Sequence, residues 1–204
     1  MTLTPGLVNA HAHLEMAHMR GRTVSGQGFL AWITSLVSQP LYQPDPGAMD
    51  AAARSMRGTG TVFAADIATR SAPLAAECLA RAGLHFLNFH EAIGHGEPPR
   101  ELPPDPAPLP DQSPDHGAGR AAWAGHALYS TSAGVLGAAK ALDNAAGLTF
   151  SLHLAEHEDE ELILRDGSGP FAELLLSRGI MKHFDAPGVS PVVRAETLGL
   201  LDEK

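Results

Sequence analysis

The feature that most restricts the fold of this chain is a repeated order of apolar runs, helical segments and glycine stops. The apolar runs lie at residues 6–15, 61–67, 84–89, 121–129 and 148–154. Segments with the spacing of helices lie at residues 29–37, 46–57, 71–82 and 131–146. Glycines stand where several of these helices would end before the next strand. Five strand-then-helix units in a row predict an α/β fold with a parallel sheet.

Two histidines close the first apolar run. Side chains alternate between the faces of a strand, so His11 and His13 point to one side while Ala10 and Ala12 point to the other. In a parallel barrel the carboxyl ends of the strands carry the chemistry. The alternative is a half-buried strand with a polar face toward solvent, but such a face favours Thr, Lys or Glu. Histidine is more typical of metal ligands and proton carriers, so the pair is a candidate metal site.

A second group of ionisable residues lies at residues 153–161. His153 ends an apolar strand, and Glu156 follows it in the next loop. The acidic residues from position 158 onward suit the first turn of a helix, where the helix dipole favours negative charge, and need no catalytic role. Alone, His153 is equally consistent with a core histidine. Together with His11 and His13 it supplies three imidazoles from two strands, the ligands expected of a catalytic zinc-like site with an open position for water.

Residues 94–120 interrupt the repeated pattern. The segment contains eight prolines, which excludes a helix or an inner strand. Because it follows a strand, in a barrel it would rise from the catalytic face. Two interpretations are open: the segment covers the mouth of the site, or it is an insertion without a role. His95 and His116 within it are poor candidates for metal ligands.

Composition excludes several classes of function. A chain of 204 residues buries a core of its own, and its net charge of -9 argues against a nucleic-acid partner. Cys78 is the only cysteine, so no internal disulfide forms. Neither a basic, apolar leader nor a long apolar run is present, which argues against secretion and against a membrane. We therefore expect a cytoplasmic protein without a nucleic-acid or membrane partner.

Two motifs resemble a known family. Residues 5–14, PGLVNAHAHL, resemble the first-strand motif of the metal-dependent amidohydrolase superfamily. Residues 125–130, GHALYS, followed by HLAE at residues 153–156, resemble its branch of nucleobase and nucleoside deaminases and chlorohydrolases. The resemblance implies that His11, His13 and His153 bind one divalent metal ion, zinc or iron. It also implies that Glu156 shuttles protons and that His126 lies in the substrate pocket.

The pocket motif departs from the family pattern at two places. The family usually has Pro-His-Ala-Pro-Tyr around this histidine, whereas this chain has Gly125 and Leu128 at the proline positions. The run at residues 164–175 resembles that of the members that deaminate aminofutalosine, a 6-aminopurine nucleoside. We therefore expect a hydrolytic deaminase of such a nucleoside. A chlorohydrolase, another amidohydrolase acting on C–N bonds, and a noncatalytic metal-binding remnant are the alternatives.

The resemblance also implies the architecture. It predicts a (β/α)8 TIM-type barrel of which about five of the eight strand-helix units are present. Residues 1–204 are then the N-terminal part of an amidohydrolase barrel domain, with the proline-rich segment as an insertion. The later strands of the family carry a further histidine and a metal-binding aspartate, so we expect this fragment to be inactive alone. Its open sheet edges predict self-association.

Overall fold

The computed structural model describes residues 3–41, 43–109, 115–179 and 184–202. Five strands form one sheet: β1 Leu7–Ala12, β2 Thr61–Ala68, β3 His85–Ala92, β4 Gly119–Ala127 and β5 Ser151–His153. The described residues also form seven α-helices: α1 Phe29–Leu36, α2 Pro46–Gly58, α3 Ala72–Arg81, α4 Ala133–Ala145, α5 Glu158–Asp166, α6 Pro170–Ser177 and α7 Pro191–Thr197. A 3-10 helix, Leu14–Met19, follows β1 directly. None of the described helices is both long and apolar enough to cross a membrane.

The strands lie in the sheet in the same order as along the chain, β1-β2-β3-β4-β5. The β1–β2, β2–β3 and β4–β5 pairs are parallel. Parallel strands in sequential order with helices between them are the units of a (β/α)8 barrel, whereas a doubly wound sheet reverses its order at a switch point. The predicted partial TIM-type barrel with five strands is therefore confirmed.

The connection from β3 to β4 is the proline-rich segment. The repeated pattern calls for a helix after each strand, but the prolines were expected to exclude one here because they cannot maintain a helical ladder, and the described residues of this connection form none. The segment instead packs as extended chain. Asp105 accepts a hydrogen bond from the Ala121 N–H at 2.8 Å, and the Trp123 indole N–H donates to the Glu101 carbonyl at 3.0 Å. These two contacts are with the first half of β4, whereas Gly94, at the start of the segment, exchanges backbone hydrogen bonds with Ser130 and Ser132 just beyond the carboxyl end of that strand.

Contacts divide the chain into two compact units. The first consists of Met1–Arg22, Gln39–Glu91 and Pro103–Ala122, and the second of Thr23–Ser38, Ala92–Leu102 and Trp123–Lys204. Seven of the thirteen buried core residues described in the first unit are alanines. Their short side chains let α2 and α3 lie close to β2, and the fully buried Met49 and Leu79 fill the space between them.

The second unit contains two apolar clusters. One is largely aromatic and includes Tyr129, Phe171 and, from α1, Phe29. The other is built on Leu136 of α4, which is fully buried. A Cβ atom at Gly125 would lie 2.3 Å from the Leu136 Cδ2 atom. Glycine at this position of β4 is therefore explained by the close approach of the helix that follows.

Candidate functional site

The carboxyl end of β1 places two imidazoles side by side. His11 lies one residue before the end of β1, and His13 follows it at the start of the 3-10 helix. Their Nε2 atoms are 3.1 Å apart, and their rings meet edge to face. The β1–β2 register is irregular between Asn9 and Ala12, and the Asn9 side chain accepts a hydrogen bond from the His11 N–H at 3.2 Å. An irregularity of this kind re-aims side chains at a strand end.

The spacing of the two nitrogens fits a shared metal ion. Zinc–nitrogen bonds of about 2.0–2.1 Å in tetrahedral geometry place two ligand nitrogens roughly 3.3–3.4 Å apart. The separation of 3.1 Å between His11 Nε2 and His13 Nε2 is close to that value. Without an ion, the same contact is an N–H···N hydrogen bond. The pair is therefore suited to supply two of the ligands of a divalent metal.

Two buried carboxyl groups hold the chain that follows the histidine pair. Asp66 of β2 accepts a hydrogen bond from the Leu14 N–H at 2.7 Å. Glu15, which is 3% exposed, accepts hydrogen bonds from the N–H groups of residues 69–71 at 2.9–3.2 Å. Those groups lie at the start of α3, where free N–H groups favour an anion. Glu15 thus ties the end of β1 to α3, and Ser71 makes no side-chain cap bond there.

In the second unit, the structure brings His126 and His153 together. His126 lies near the end of β4 and His153 at the end of β5, with their ring centroids 5.4 Å apart. The Nδ1 atom of His126 is 2.5 Å from the Ser130 Oγ atom, a hydrogen bond that fixes the ring. Burial lowers the pKa of His126, and the charge of Glu156 only partly opposes this effect. His126 is therefore neutral at pH 7.

Glu156 stands in the turn between β5 and α5. Its carboxylate Oε2 atom is 3.8 Å from the His153 Nδ1 atom, and 45% of its side chain is exposed. A carboxylate in this position combines solvent access with closeness to an imidazole at a strand end. This is the arrangement required for a residue that accepts and returns protons.

The predicted site residues thus lie at strand ends in each unit. His11 and His13 come together in the first unit, and His126, His153 and Glu156 in the second. Glu160 was not predicted as a site residue, because the helix dipole accounts for the acids from position 158 onward; its side chain is 1% exposed. His157 was not predicted either; its ring stacks on Phe29 with centroids 3.7 Å apart. In the sequence, the one indication that these two residues belong to the site is their position next to the HLAE motif.

The fold and the strand-end histidines define the chain as part of a (β/α) barrel with its ionisable side chains at the carboxyl ends of the strands. More particularly, the chain belongs to the amidohydrolase family, whose sequence model matches residues 2–195. The family inferred from the two motifs is thereby confirmed. A search of the curated protein sequences gives no match to the chain.

Solved structures of two deaminases and a chlorohydrolase share the fold. The aminofutalosine deaminase of Helicobacter pylori in complex with methylthio-coformycin is 20% identical, with a TM-score of 0.66 over 89% of this chain and 44% of that protein. An adenosine deaminase of Xanthomonas campestris with bound zinc is 19% identical, with a TM-score of 0.64 over 97% and 42%. The zinc-complexed atrazine chlorohydrolase of Arthrobacter aurescens is 16% identical, with a TM-score of 0.56 over 96% and 46%. The chain thus spans less than half the length of these proteins.

Proposed function

We propose that this chain is the N-terminal part of a metal-dependent hydrolase that deaminates a 6-aminopurine nucleoside. The observation that supports this most directly is the His11–His13 pair, with Nε2 atoms 3.1 Å apart at the end of β1 in an amidohydrolase-family chain. Aminofutalosine is the first-choice substrate, because residues 164–175 resemble those of aminofutalosine deaminases and one such enzyme shares the fold. Methylthioadenosine and adenosylhomocysteine are the next choices.

We further propose that His11, His13 and His153 bind one divalent metal ion, zinc or iron. Three histidines that leave one position open are a common ligand set of catalytic zinc. Zinc is bound in two of the similar structures, and imidazole ligands also suit iron. When bound, the ion would activate a water molecule by lowering its pKa toward neutrality.

Glu156 is the proposed proton carrier. Its partly exposed carboxylate, 3.8 Å from the His153 ring, takes a proton from the attacking water. It then delivers this proton to a ring nitrogen of the purine, and it transfers the second proton of the water, from the hydroxyl group of the adduct, to the departing amine. Attack at the amino-bearing carbon followed by loss of ammonia replaces the amino group with oxygen. The role requires a group that can gain and lose a proton, which an amide cannot replace.

His126 is the proposed substrate-binding residue of the second unit. Its ring is neutral because burial lowers its pKa, and its Nδ1 atom is engaged by the Ser130 hydroxyl. The Nε2 atom is therefore the ring nitrogen left for a hydrogen bond to a polar group of the purine. A neutral ring suits this role because the purine carries no net charge.

The test of this function is ammonia release by the complete gene product. The substrates are aminofutalosine, methylthioadenosine, adenosylhomocysteine and, as the chlorohydrolase control, atrazine. We expect release from at least one nucleoside, and a loss of turnover of about 100-fold or more in Glu156→Gln. Glu158→Gln, which alters an exposed acid two residues away, should retain the parental rate. Dechlorination of atrazine alone, or a fully active Glu156→Gln variant, would contradict the proposal.

A second arm of the test examines the metal site of the 204-residue chain itself. We expect about one zinc or iron ion per chain, lost in both His11→Ala and His153→Ala. His95→Ala, in the proline-rich segment, is the matched control and should retain the ion. Glu156→Gln should also retain it. Metal content that survives either ligand substitution would remove the shared site from the proposal while leaving the family assignment intact.

A further inference from the structure

The turn that carries Glu156 has an unfavourable backbone conformation. Ala155 has φ 54°, and among the described residues it is the one non-glycine residue with positive φ. The left-handed region is unfavourable for a residue with a Cβ atom, because that atom comes too close to the following carbonyl oxygen. Such a conformation persists only where neighbouring contacts enforce it. The contacts that enforce it here come from α5.

The main contact is the buried carboxylate of Glu160. This side chain is 1% exposed, and its Oε2 atom accepts a hydrogen bond from the Glu156 N–H at 2.9 Å. Burial raises the pKa of Glu160, and the backbone N–H groups of Glu156 and Ala155 oppose this effect. In return, the Glu160 N–H donates to the His157 carbonyl at 3.1 Å. One buried side chain thus binds the backbone of the turn directly after Ala155.

This arrangement differs from an ordinary helix cap. Glu160 is the third residue of α5, and His157 is its N-cap. In a capping box, a glutamate at this position reaches back to the N–H of the N-cap residue itself. Here the carboxylate reaches one residue further, to the Glu156 N–H. The bond therefore fixes the turn before the helix rather than the first residue of the helix.

The residue after Glu156 fixes the other side of the turn. The His157 ring is stacked on Phe29, with centroids 3.7 Å apart and planes inclined by 13°. It also meets the Phe171 ring edge to face at 4.8 Å. Within the described part of the chain neither ring nitrogen of His157 has a hydrogen-bond partner, so the ring contributes through aromatic packing. Glu156 is thus held by its own N–H bond to Glu160 and by the packed ring of His157, the residue that follows it.

We propose that Glu160 is a positioning residue for Glu156. It maintains the left-handed turn at Ala155 and so keeps the Glu156 carboxylate 3.8 Å from the His153 ring. This inference rests on the proposed role of Glu156 as proton carrier. Glu160 itself touches neither substrate nor metal, because its carboxylate is buried against the backbone of the turn.

The kinetic test compares Glu160→Ala with Glu160→Gln in the complete protein. The alanine variant loses the hydrogen bond to the Glu156 N–H, so kcat should fall by about 100-fold while KM changes little, since misplacement of a catalytic group by about 1 Å has an effect of this size. The glutamine variant keeps an acceptor oxygen and should restore kcat to within a few-fold of the parent. Glu161→Ala, which removes the neighbouring acid paired with Arg165, is the control and should retain the parental kcat.

A second readout does not depend on activity. Hydrogen exchange of the Glu156 amide should be slow in the parent and in Glu160→Gln, and fast in Glu160→Ala. Unchanged exchange in Glu160→Ala would overturn the inference whatever the activity. A loss of stability in Glu160→Ala with kcat intact would overturn it as well. If exchange of the Glu156 amide is fast in Glu160→Ala but the Glu156→Gln variant remains active, Glu160 is still a positioning residue and the proposed role of Glu156 is wrong.

Discussion

The first unit keeps a carboxyl group fully buried beneath the end of β1, the strand that carries the histidine pair. Asp66 is 0% exposed, and its Oδ1 atom accepts the hydrogen bond from Leu14. Within the described residues, its Oδ2 atom has no hydrogen-bond partner. Burial raises the pKa of Asp66 from 3.8 to about 8 and outweighs the lowering effect of the Leu14 bond. Asp66 therefore carries a proton at neutral pH.

We expect this group to make the protein less stable as the pH rises. Below pH 4, Asp66 is protonated in the folded and unfolded chains, so its titration does not change the free energy of unfolding. Between pH 4 and 8 the unfolded chain releases the proton while the folded chain retains it, because the folded pKa is about 8. The native state then binds more protons, and the free energy of unfolding falls by roughly 5 kcal/mol over this interval.

The variant Asp66→Asn tests this expectation by urea unfolding of the metal-free chain at several pH values. The amide resembles the protonated carboxyl group but does not ionise, so its stability should fall less with pH than that of the parent. Asp166→Asn, at an exposed position of α5, is the control and should follow the parent. Identical pH dependence in the parent and Asp66→Asn would show that Asp66 is ionised in the folded state.

At the scale of single residues, the sequence predicts site residues that belong to a periodic pattern and does not predict those that stand outside one. His11 and His13 are evident because strand alternation places them on one side. Glu15, Asp66 and Glu160 are not, because an isolated acid in a sequence is usually solvated. Their burial depends on backbone N–H groups that only the folded chain brings to them. Periodicity in the sequence contains no information about such partners.

At the scale of the elements, glycine determines how closely β4 approaches the end of α3. The Gly117 N–H donates to the Ala80 carbonyl at 2.9 Å, just before β4 begins. A Cβ atom at Gly117 would lie 1.6 Å from the Leu84 carbonyl oxygen. That oxygen belongs to the backbone and cannot rotate away, so any side chain at this position has to displace the start of β4.

We expect Gly117→Ala to destabilise the chain by about 3 kcal/mol or more, because it introduces a backbone clash. Gly137→Ala is the matched control. It lies within α4, where a Cβ atom meets nothing within 4 Å. There the change should stabilise the chain by about 0.5–1 kcal/mol, since alanine is the better helix former. Urea unfolding measures both; equal effects of the two variants would contradict the clash.

The elements themselves were largely predictable, since strands and helices each have their own apolar period. β5 is the main difference in length: a run at residues 148–154 was expected, and the strand is Ser151–His153. The absence of a helix between β3 and β4 follows from the prolines. The prolines do not determine where that segment packs, because its packing depends on single contacts such as that of Asp105 with Ala121.

At the scale of the whole molecule, β1 lies at one end of the strand order and presents apolar side chains. Leu7 is 58% and Val8 65% exposed. An edge strand with unpaired backbone groups and apolar side chains is a template for pairing with another chain. We therefore expect the 204-residue chain to self-associate in solution through β1.

Light scattering of the purified chain measures its molecular mass. Val8→Lys places a charge on the edge strand and should shift the mass toward that of a monomer. Val192→Lys is the matched control, because Val192 is 49% exposed but lies on α7. A monomeric parent, or an equal effect of both variants, would show that β1 is not the surface of association.

The alanine-rich core of the first unit also has a genetic consequence. A single-nucleotide change in an alanine codon gives Val, Thr, Ser, Pro, Gly, Asp or Glu. At Ala53, Ala64 or Ala75, all 0% exposed, each of these residues adds volume, adds a polar group or loosens the backbone. Most point mutations there therefore reduce stability, so random mutagenesis should recover few functional variants from this part of the gene.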